Sequence, residues 1–367
     1  SLLAFSEHVR CLYYRLLRRL YPPRMLPRLK KCHIAHERLL VVVPTLLTDQ
    51  KQALQMVHQL QILHAATPHA HFMLLGDFAD SQQRLTPEEE KTCRMAAAAV
   101  SALNKQQKGV FYYLHRQRSW DDRQHIFTGR ERKRGALEDL NLLLTGETCP
   151  DEFLHTSHPL SGLKGAYDAV ITLDADTFLP PGAAAKLQGA LAHPLQNGRI
   201  HIIQPRMATL PKDIRTRTQA FFTFPQAADS YHTFVQNVYQ DVFGHGSFAG
   251  KGIYRPAALL AATMDQLPEG RILSHDLIEG EFAHAATAED IALYDTQPAH
   301  LSGWQKRLHR WTRGDWQLLP FLKDKALPLL SRWKIYDNLR TSLVPLCQML
   351  LLIFGTCLLY TSDAADD

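Results

Sequence analysis

The sequence predicts an α/β protein built on a mostly parallel sheet with flanking helices, and three observations carry that prediction. Short apolar or β-branched runs, Leu39 to Val43, His71 to Leu75 and Ala169 to Leu173, alternate with longer stretches of helical periodicity. Two of these runs lead into acidic residues, Asp77 and Asp80 after the second and Asp174 and Asp176 after the third. In open α/β sheets ligands bind in the crevice beyond the carboxyl ends of the strands, so these four carboxylates are expected in one crevice despite their separation in sequence.

Taken in order, Leu39 to Val43 is a β-branched run closed by Pro44, and Thr48 to His64 carries Ala53, Met56, Val57, Leu60 and Leu63 at helical spacing. His71 to Leu75 is the next strand. Thr86, Pro87 and Glu89 form a helix start, with a Thr cap, proline at the first position and Glu three residues after the cap, for a helix running to about Asn104. Val110 to Leu114 is a third strand. Lys133 and Arg134 open a helix that places Leu137, Leu140 and Leu144 on one side. Ala169 to Leu173 and Ile200 to Gln204 complete the sheet.

A chain of 367 residues that is 46% hydrophobic and 21% charged has the balance of an ordinary globular protein with a real core. The net charge of +5 is unevenly placed. Arg10, Arg15, Arg18, Arg19, Arg24, Arg28, Lys30 and Lys31 crowd the N-terminal segment among Leu, Tyr and Phe. Such a segment reads as a basic juxtamembrane or interfacial stretch over 1–38, and a nucleic-acid partner is not expected. The six cysteines have no metal-type spacing, so free thiols in a reducing compartment are expected. Residues 326–356 read as an interfacial helix and the start of a truncated transmembrane helix. Their apolar run, Leu343 to Thr356, is shorter than the roughly 20 residues a spanning helix needs. Residues 357–367 resemble a translated sequencing adapter and are set aside. By the positive-inside rule the basic segments 10–31 and 332–340 lie on the cytoplasmic side, which puts the intervening domain there too.

Asp174 and Asp176, two residues apart at the end of a buried strand, point to one side of the backbone and can share a divalent cation, Mn²⁺ or Mg²⁺. Downstream come Ser274-His275-Asp276-Leu277-Ile278-Glu279-Gly280 and His309-Arg310-Trp311-Thr312-Arg313-Gly314-Asp315-Trp316. A metal-binding Asp-x-Asp, a later acid and an Arg-Trp helix in that order point to a nucleotide-sugar glycosyltransferase. Lys133 and Arg134 at a helix start add positive charge toward a diphosphate. The glycine-rich stretch from Gly244 to Gly252 is not a phosphate loop. Gly246 and Gly250 are separated by three residues where that loop needs four, and Gly252 follows Lys251 in place of Ser or Thr. It reads as a close-approach loop near substrate. Phe178 likewise excludes the aspartyl-phosphatase motif at Asp174.

In order, Val41 to Thr45, Leu74 to Asp77, Glu131 to Gly135, Ile171 to Thr177, Tyr239 to Gly244, Gly250 to Tyr254, Leu273 to Gly280 and His309 to Gln317 resemble the glycosyltransferase region of the bacterial cyclic β-1,2-glucan synthases, glycosyltransferase family 84. The resemblance covers roughly residues 39–325 and extends more distantly to the cellulose-synthase-type enzymes. It implies a GT-A fold, UDP-glucose as donor, a glucan acceptor, a divalent metal and an active site on the cytoplasmic face of the bacterial inner membrane. Carried over by position, it implies Asp174 and Asp176 as metal and diphosphate ligands, Asp276 as general base, and Arg310 and Trp311 lining the donor and acceptor site. Asp77 would contact uridine. Asp80, Lys133, Arg134, Gly250, Lys251, His275, Glu279, His309, Asp315 and Trp316 complete the expected substrate-binding set. Where the wider superfamily has Gln-x-x-Arg-Trp, this chain has Arg307-Leu308-His309-Arg310-Trp311, so the Gln role is unfilled and the narrower family is favoured. Full-length members carry a C-terminal phosphorylase-like region, which this chain is expected to lack. The implied activity is inverting transfer of glucose from UDP-glucose to a growing β-1,2-glucan. Another processive inverting synthase of the cellulose or hyaluronan type, or a non-catalytic glycan-binding scaffold, are the alternatives.

Overall fold

The computed structural model describes residues 2–363 except 23, 31–32, 35, 108–109, 149–152, 158, 197, 224–233 and 273–275. In chain order the elements are α1 (Leu2–Leu20), β1 (Leu39–Leu46), α2 (Gln50–Ala66), β2 (His71–Asp77), α3 (Pro87–Gln107), β3 (Phe111–Arg116), β4 (Ser119–Asp121), β5 (Ile126–Thr128), α4 (Arg132–Thr145), β6 (Phe153–Thr156), β7 (Ala169–Thr172), α5 (Ala183–Leu191), β8 (Ile202–Ala208), α6 (Arg217–Thr223), α7 (Phe234–Phe243), β9 (Gly252–Tyr254), α8 (Pro256–Thr263), α9 (Asp276–Phe282), β10 (Ala285–Tyr294), α10 (Leu301–Gln317) and α11 (Leu329–Asp363).

Among the described residues the main sheet has eight strands in the order β10-β8-β9-β7-β1-β2-β3-β6. The central strands β7, β1, β2 and β3 are parallel, as are β8 and β10, while β9 runs antiparallel to both of its neighbours and β6 antiparallel to β3. The uninterrupted apolar character of Leu39 to Val43 follows from burial on both faces. Leu39, Val41 and Val43 point toward the layer that contains Val57, Leu60, Ala96 and Leu187, and Leu40 and Val42 toward Leu140, Leu144 and Leu259.

Pro44 does not close β1. The strand continues to Leu46, with Pro44 opposite Leu75 of β2. On its other edge β1 pairs with β7 only through Val42, whose carbonyl accepts from Leu173. Pro44 therefore lacks its N–H on the side where pairing has already ended, and no ladder bond is lost. The start of α3 is the capping box read from sequence, with the Thr86 N–H donating to Glu89 at 2.8 Å and the Glu89 N–H to the Thr86 hydroxyl at 3.3 Å.

Core packing continues past residue 326. Ile335 and Leu339 of α11 pack with Leu277 and Ile278 of α9 and with Leu318 and Phe321 beyond α10. The same stretch receives α1 through ion pairs, the buried Arg10 to Asp337 at 2.7 Å and the partly buried Arg340 to Glu7. With these charges turned inward, α1 exposes Leu2, Phe5, Val9, Leu12, Leu16 and Leu20 along its outer side. The second half of α11 also exposes apolar residues, among them Leu352, Ile353 and Phe354. The span Leu329–Cys357 is long and apolar enough to cross a membrane. The helix runs on unbroken past Cys357 to Asp363. Cys11, Cys93 and Cys347 are free thiols, and Cys32 and Cys149 lie outside the described residues.

Candidate active site

At the carboxyl ends of the central strands lies a cavity of about 1140 Å³, walled by the end of β1, the first turn of α4, the end of β7, the loop before β9, α9, α10 and the middle of α11. Asp77, Lys133, Arg134, Asp174, Asp176, Gly250, Lys251, Asp276, Glu279, Arg310, Trp311 and Asp315 all face it, although they come from every quarter of the sequence between β2 and α10. Three expected members do not line the cavity. Asp80 is exposed beside β5, held by the Thr128 hydroxyl and Arg132. His309 is exposed on the outer side of α10, and Trp316 donates to Ser342 of α11 at 3.0 Å. His275 lies outside the described residues.

Asp174 sits at the turn after β7, its N–H bonded to the Thr177 hydroxyl. Its two oxygens are held by Lys133 at 2.6 Å and Lys251 at 2.9 Å. Enclosure in the cavity opposes the Asp174 charge, but the two ammonium groups outweigh it and hold the carboxyl well below its ordinary range. Lys251 bridges on to Asp295, which follows β10, and is held protonated against burial by Asp174 and Asp295 together. Asp176 is in the opposite condition. Enclosure first and the Asp295 charge second push its carboxyl above the usual range, and its hydrogen-bonding partner is the Thr296 hydroxyl at 3.0 Å.

Among the described residues no cluster of three or more His, Cys, Asp or Glu side chains is arranged to hold a metal. At Asp174, lysine ammonium groups stand against both oxygens. The Asp174 and Asp176 carboxylates are nevertheless hard oxygen donors of the kind a divalent ion takes. Asp176 is a hard oxygen donor whose negative charge is disfavoured by its neighbours and would be stabilised by an added cation.

Asp77 is buried and gives both oxygens to Arg116, at 3.0 and 2.8 Å. Arg116 also reaches Asp139 of α4 and donates to the carbonyls of Arg130 and Arg132. Between those carbonyls Glu131 and Arg132 have φ of 50° and 49°, left-handed conformations unusual for residues with a Cβ. A buried guanidinium thus fixes the turn that aims Lys133 at Asp174. Arg116 was not legible in the sequence, since it lies at the end of β3 with no motif around it.

On the opposite wall, α9 begins at Asp276, and Glu279 lies one turn further on. Gly250 has φ +77°, and a Cβ built there would fall 2.8 Å from both Asp276 oxygens. Glycine is required at 250 by conformation and by contact with the acid. Glu279 is pushed up to about 8, by burial first and by the Asp276 charge second, against the pull of Arg134 and Lys133. On α10, Arg307 lies over the Trp311 ring and donates to Gln297, and Trp304 meets Trp311 edge to face. Asp295, Trp304 and Gln297 face the cavity as well and were missed in sequence.

No protein-family model matches the chain. It is 35% identical over 339 residues, 87% of its length, to cyclic β-(1,2)-glucan synthase NdvB of Rhizobium meliloti (strain 1021). The chain spans only 12% of that relative's length. Among solved structures it resembles the mannosyltransferase PcManGT of Pyrobaculum calidifontis, determined with GDP-Man and Mn²⁺, at 13% identity and TM-score 0.51, over 99% of this chain and 86% of that one. That likeness concerns the fold alone. With a GT-A fold, the strand-end carboxylates in one cavity and this identity along nearly its whole length, the chain belongs to the cyclic β-1,2-glucan synthase family, as the glycosyltransferase portion of such a protein.

Proposed function

We propose that this chain is the membrane-associated, inverting glucosyltransferase segment of a β-1,2-glucan synthase, moving glucose from UDP-glucose to a growing glucan. The observation that carries this reading is the 35% identity to a cyclic β-(1,2)-glucan synthase over 87% of the chain. The acceptor hydroxyl attacks the anomeric carbon as UDP departs from the other side, and Asp276 receives the hydroxyl proton. One displacement with one base inverts an α-linked donor to a β-linked product. Lys133, Arg134 and Arg310 supply positive charge to the leaving diphosphate, and Trp311 offers an aromatic face to a sugar ring. A divalent ion, held by Asp176 and Asp174, would supply Lewis-acid neutralisation of the same diphosphate. Asp77 and Arg116 shape the nucleotide end of the cavity.

The outward apolar stripe of α1 and the apolar half of α11 support a bilayer setting, with residues 1–38 interfacial, 39–325 catalytic and 326–356 leading into a membrane span. The catalytic body then faces the cytoplasm of a bacterial inner membrane, where UDP-sugars are made. Chain-length control and ring closure belong to parts of the polypeptide outside this segment, a phosphorylase-like region among them.

A GDP-mannose donor is the second reading, because the solved structure of similar fold holds GDP-Man. Membranes containing the full polypeptide, given labelled UDP-glucose or GDP-mannose, decide between them. Incorporation from UDP-glucose alone is expected, and incorporation from GDP-mannose alone would replace the donor.

The Asp276 and Glu279 pair adds a pH signature. Glu279 keeps its proton at pH 7 and loses it near pH 8, placing a second negative charge beside Asp276 and facing the diphosphate. Transfer is therefore expected to fall as pH rises through about 8, and Glu279→Gln to hold its plateau beyond that point. A pH profile of kcat/KM measures this, and the same alkaline limb in the variant would remove Glu279 as its origin.

A further inference from the structure

Two cavity segments must keep a fixed relation for the proposed base to stand where it does. One is the loop from Gly244 to Gly252, which presents Gly250 and Lys251, and the other is α9, which presents Asp276 and Glu279. They meet at two close contacts. A Cβ at Gly250 would strike the Asp276 carboxylate, and one at Gly280 would fall 2.6 Å from the Phe248 Cβ. The loop is anchored to the sheet from behind, the Ala249 N–H donating to Gln204 of β8 and the Gly246 N–H to the Ala285 carbonyl of β10.

A third connection comes from outside both segments. Lys334, in the second turn of α11, is only 3% exposed. Its ammonium group donates to the Gly246 carbonyl at 2.6 Å and to Glu281 of α9 at 2.6 Å. The Ser331 hydroxyl, one turn earlier, donates to the other Glu281 oxygen at 2.6 Å. The Tyr239 ring lies 5.3 Å from the same nitrogen. One buried cation therefore holds loop and helix together, and it belongs to the helix whose later half is apolar and exposed. Glu281 lies on the helix that begins at Asp276, so a shift at the clamp is carried to the acid by a rigid element.

We propose that Lys334 is a positioning residue for the glycosyl-transfer site, a clamp from α11 that fixes the Gly250 loop against α9 and so sets the placement of Asp276. Neither arm of the clamp reaches the cavity, so the clamp acts on the site only by placing the loop and α9. The inference rests on the proposed transfer reaction, and its test has a second readout that does not.

Removing Lys334 alone leaves Glu281 buried and unpaired, which threatens folding. The informative variant is Lys334→Met with Glu281→Gln, which removes the clamp with no orphaned charge, compared with Lys334→Met and wild type in the full polypeptide in lipid nanodiscs. The double variant is expected to keep the wild-type melting temperature within a few degrees and the UDP-glucose KM within about two-fold. Its kcat is expected to drop by roughly 10- to 100-fold, the scale of a small misplacement of a reacting group. Hydrogen exchange of 244–252 and 276–282 is expected to quicken while that of β1, β2 and β7 stays unchanged. A kcat within two-fold of wild type together with unchanged exchange overturns the clamp. Exchange that quickens everywhere assigns Lys334 to general stability and overturns it too. If wild type itself transfers no glucose, the functional reading fails, and the exchange pattern alone decides the clamp.

Discussion

Asp276→Asn is expected to leave UDP-glucose bound and to stop transfer. The amide keeps the shape that packs against Gly250 and keeps hydrogen-bonding capacity, but it cannot take the acceptor's proton at neutral pH. General-base catalysis is worth on the order of 10²- to 10⁴-fold, and a loss in that range is predicted in kcat with little change in donor affinity. The check follows glucose incorporation from labelled UDP-glucose in membranes alongside direct donor binding. Loss of both binding and turnover makes Asp276 a donor ligand. Transfer within a few-fold of wild type removes it from the mechanism, and Glu279 or Asp315, which face the same cavity, become the candidate bases.

The second large effect concerns the two acids after β7, which the structure places in unlike surroundings. Asp176 is a crowded carboxylate relieved by a cation, so Asp176→Asn is expected to abolish the strengthening of UDP binding by Mn²⁺, from roughly ten-fold or more, about 1.4 kcal/mol, to near none. UDP binding in the absence of metal should stay close to wild type, because Lys133 and Lys251 keep their partner. Asp174→Asn should also lose the metal effect, but it releases Lys133 from its ion pair and leaves Lys251 with Asp295 alone. Metal-free UDP binding is then expected to strengthen. Calorimetric titration of UDP with and without Mn²⁺ separates the two variants. Undiminished metal-enhanced binding in both places the metal elsewhere.

Much of the framework was legible because local signals and tertiary roles agree. The buried parallel strands read as apolar runs, the α3 capping box is a sequence pattern with one geometry, and the strand-end rule brought Asp77, Asp174 and Asp176 to one cavity from separate stretches. β10 was not recognised, because Glu289 and Asp290 interrupt its apolar pattern where the strand bulges between Ala288 and Ala292. Asp295 was lost with it, although the same strand-end rule applies to that acid. Arg116 and Lys334 were invisible for another reason. Their roles depend on partners far away in sequence, Asp77 and Asp139 for one and Gly246 and Glu281 for the other, and no local pattern announces a buried cation. Asp80, His309 and Trp316 show the converse. Each stands next to a residue pattern that faces the cavity, yet a change of direction after β2 or of helical face on α10 turns it away.

The reading as a β-1,2-glucan synthase segment rests most directly on the bond it makes. Membranes containing the full polypeptide are incubated with labelled UDP-glucose, and the polymeric product is methylated, hydrolysed and analysed for linkage. The account predicts label in glucose substituted at O2, in β configuration, and none in the Asp276→Asn membranes. Label confined to 4- or 3-substituted glucose, or to a different hexose, would contradict it.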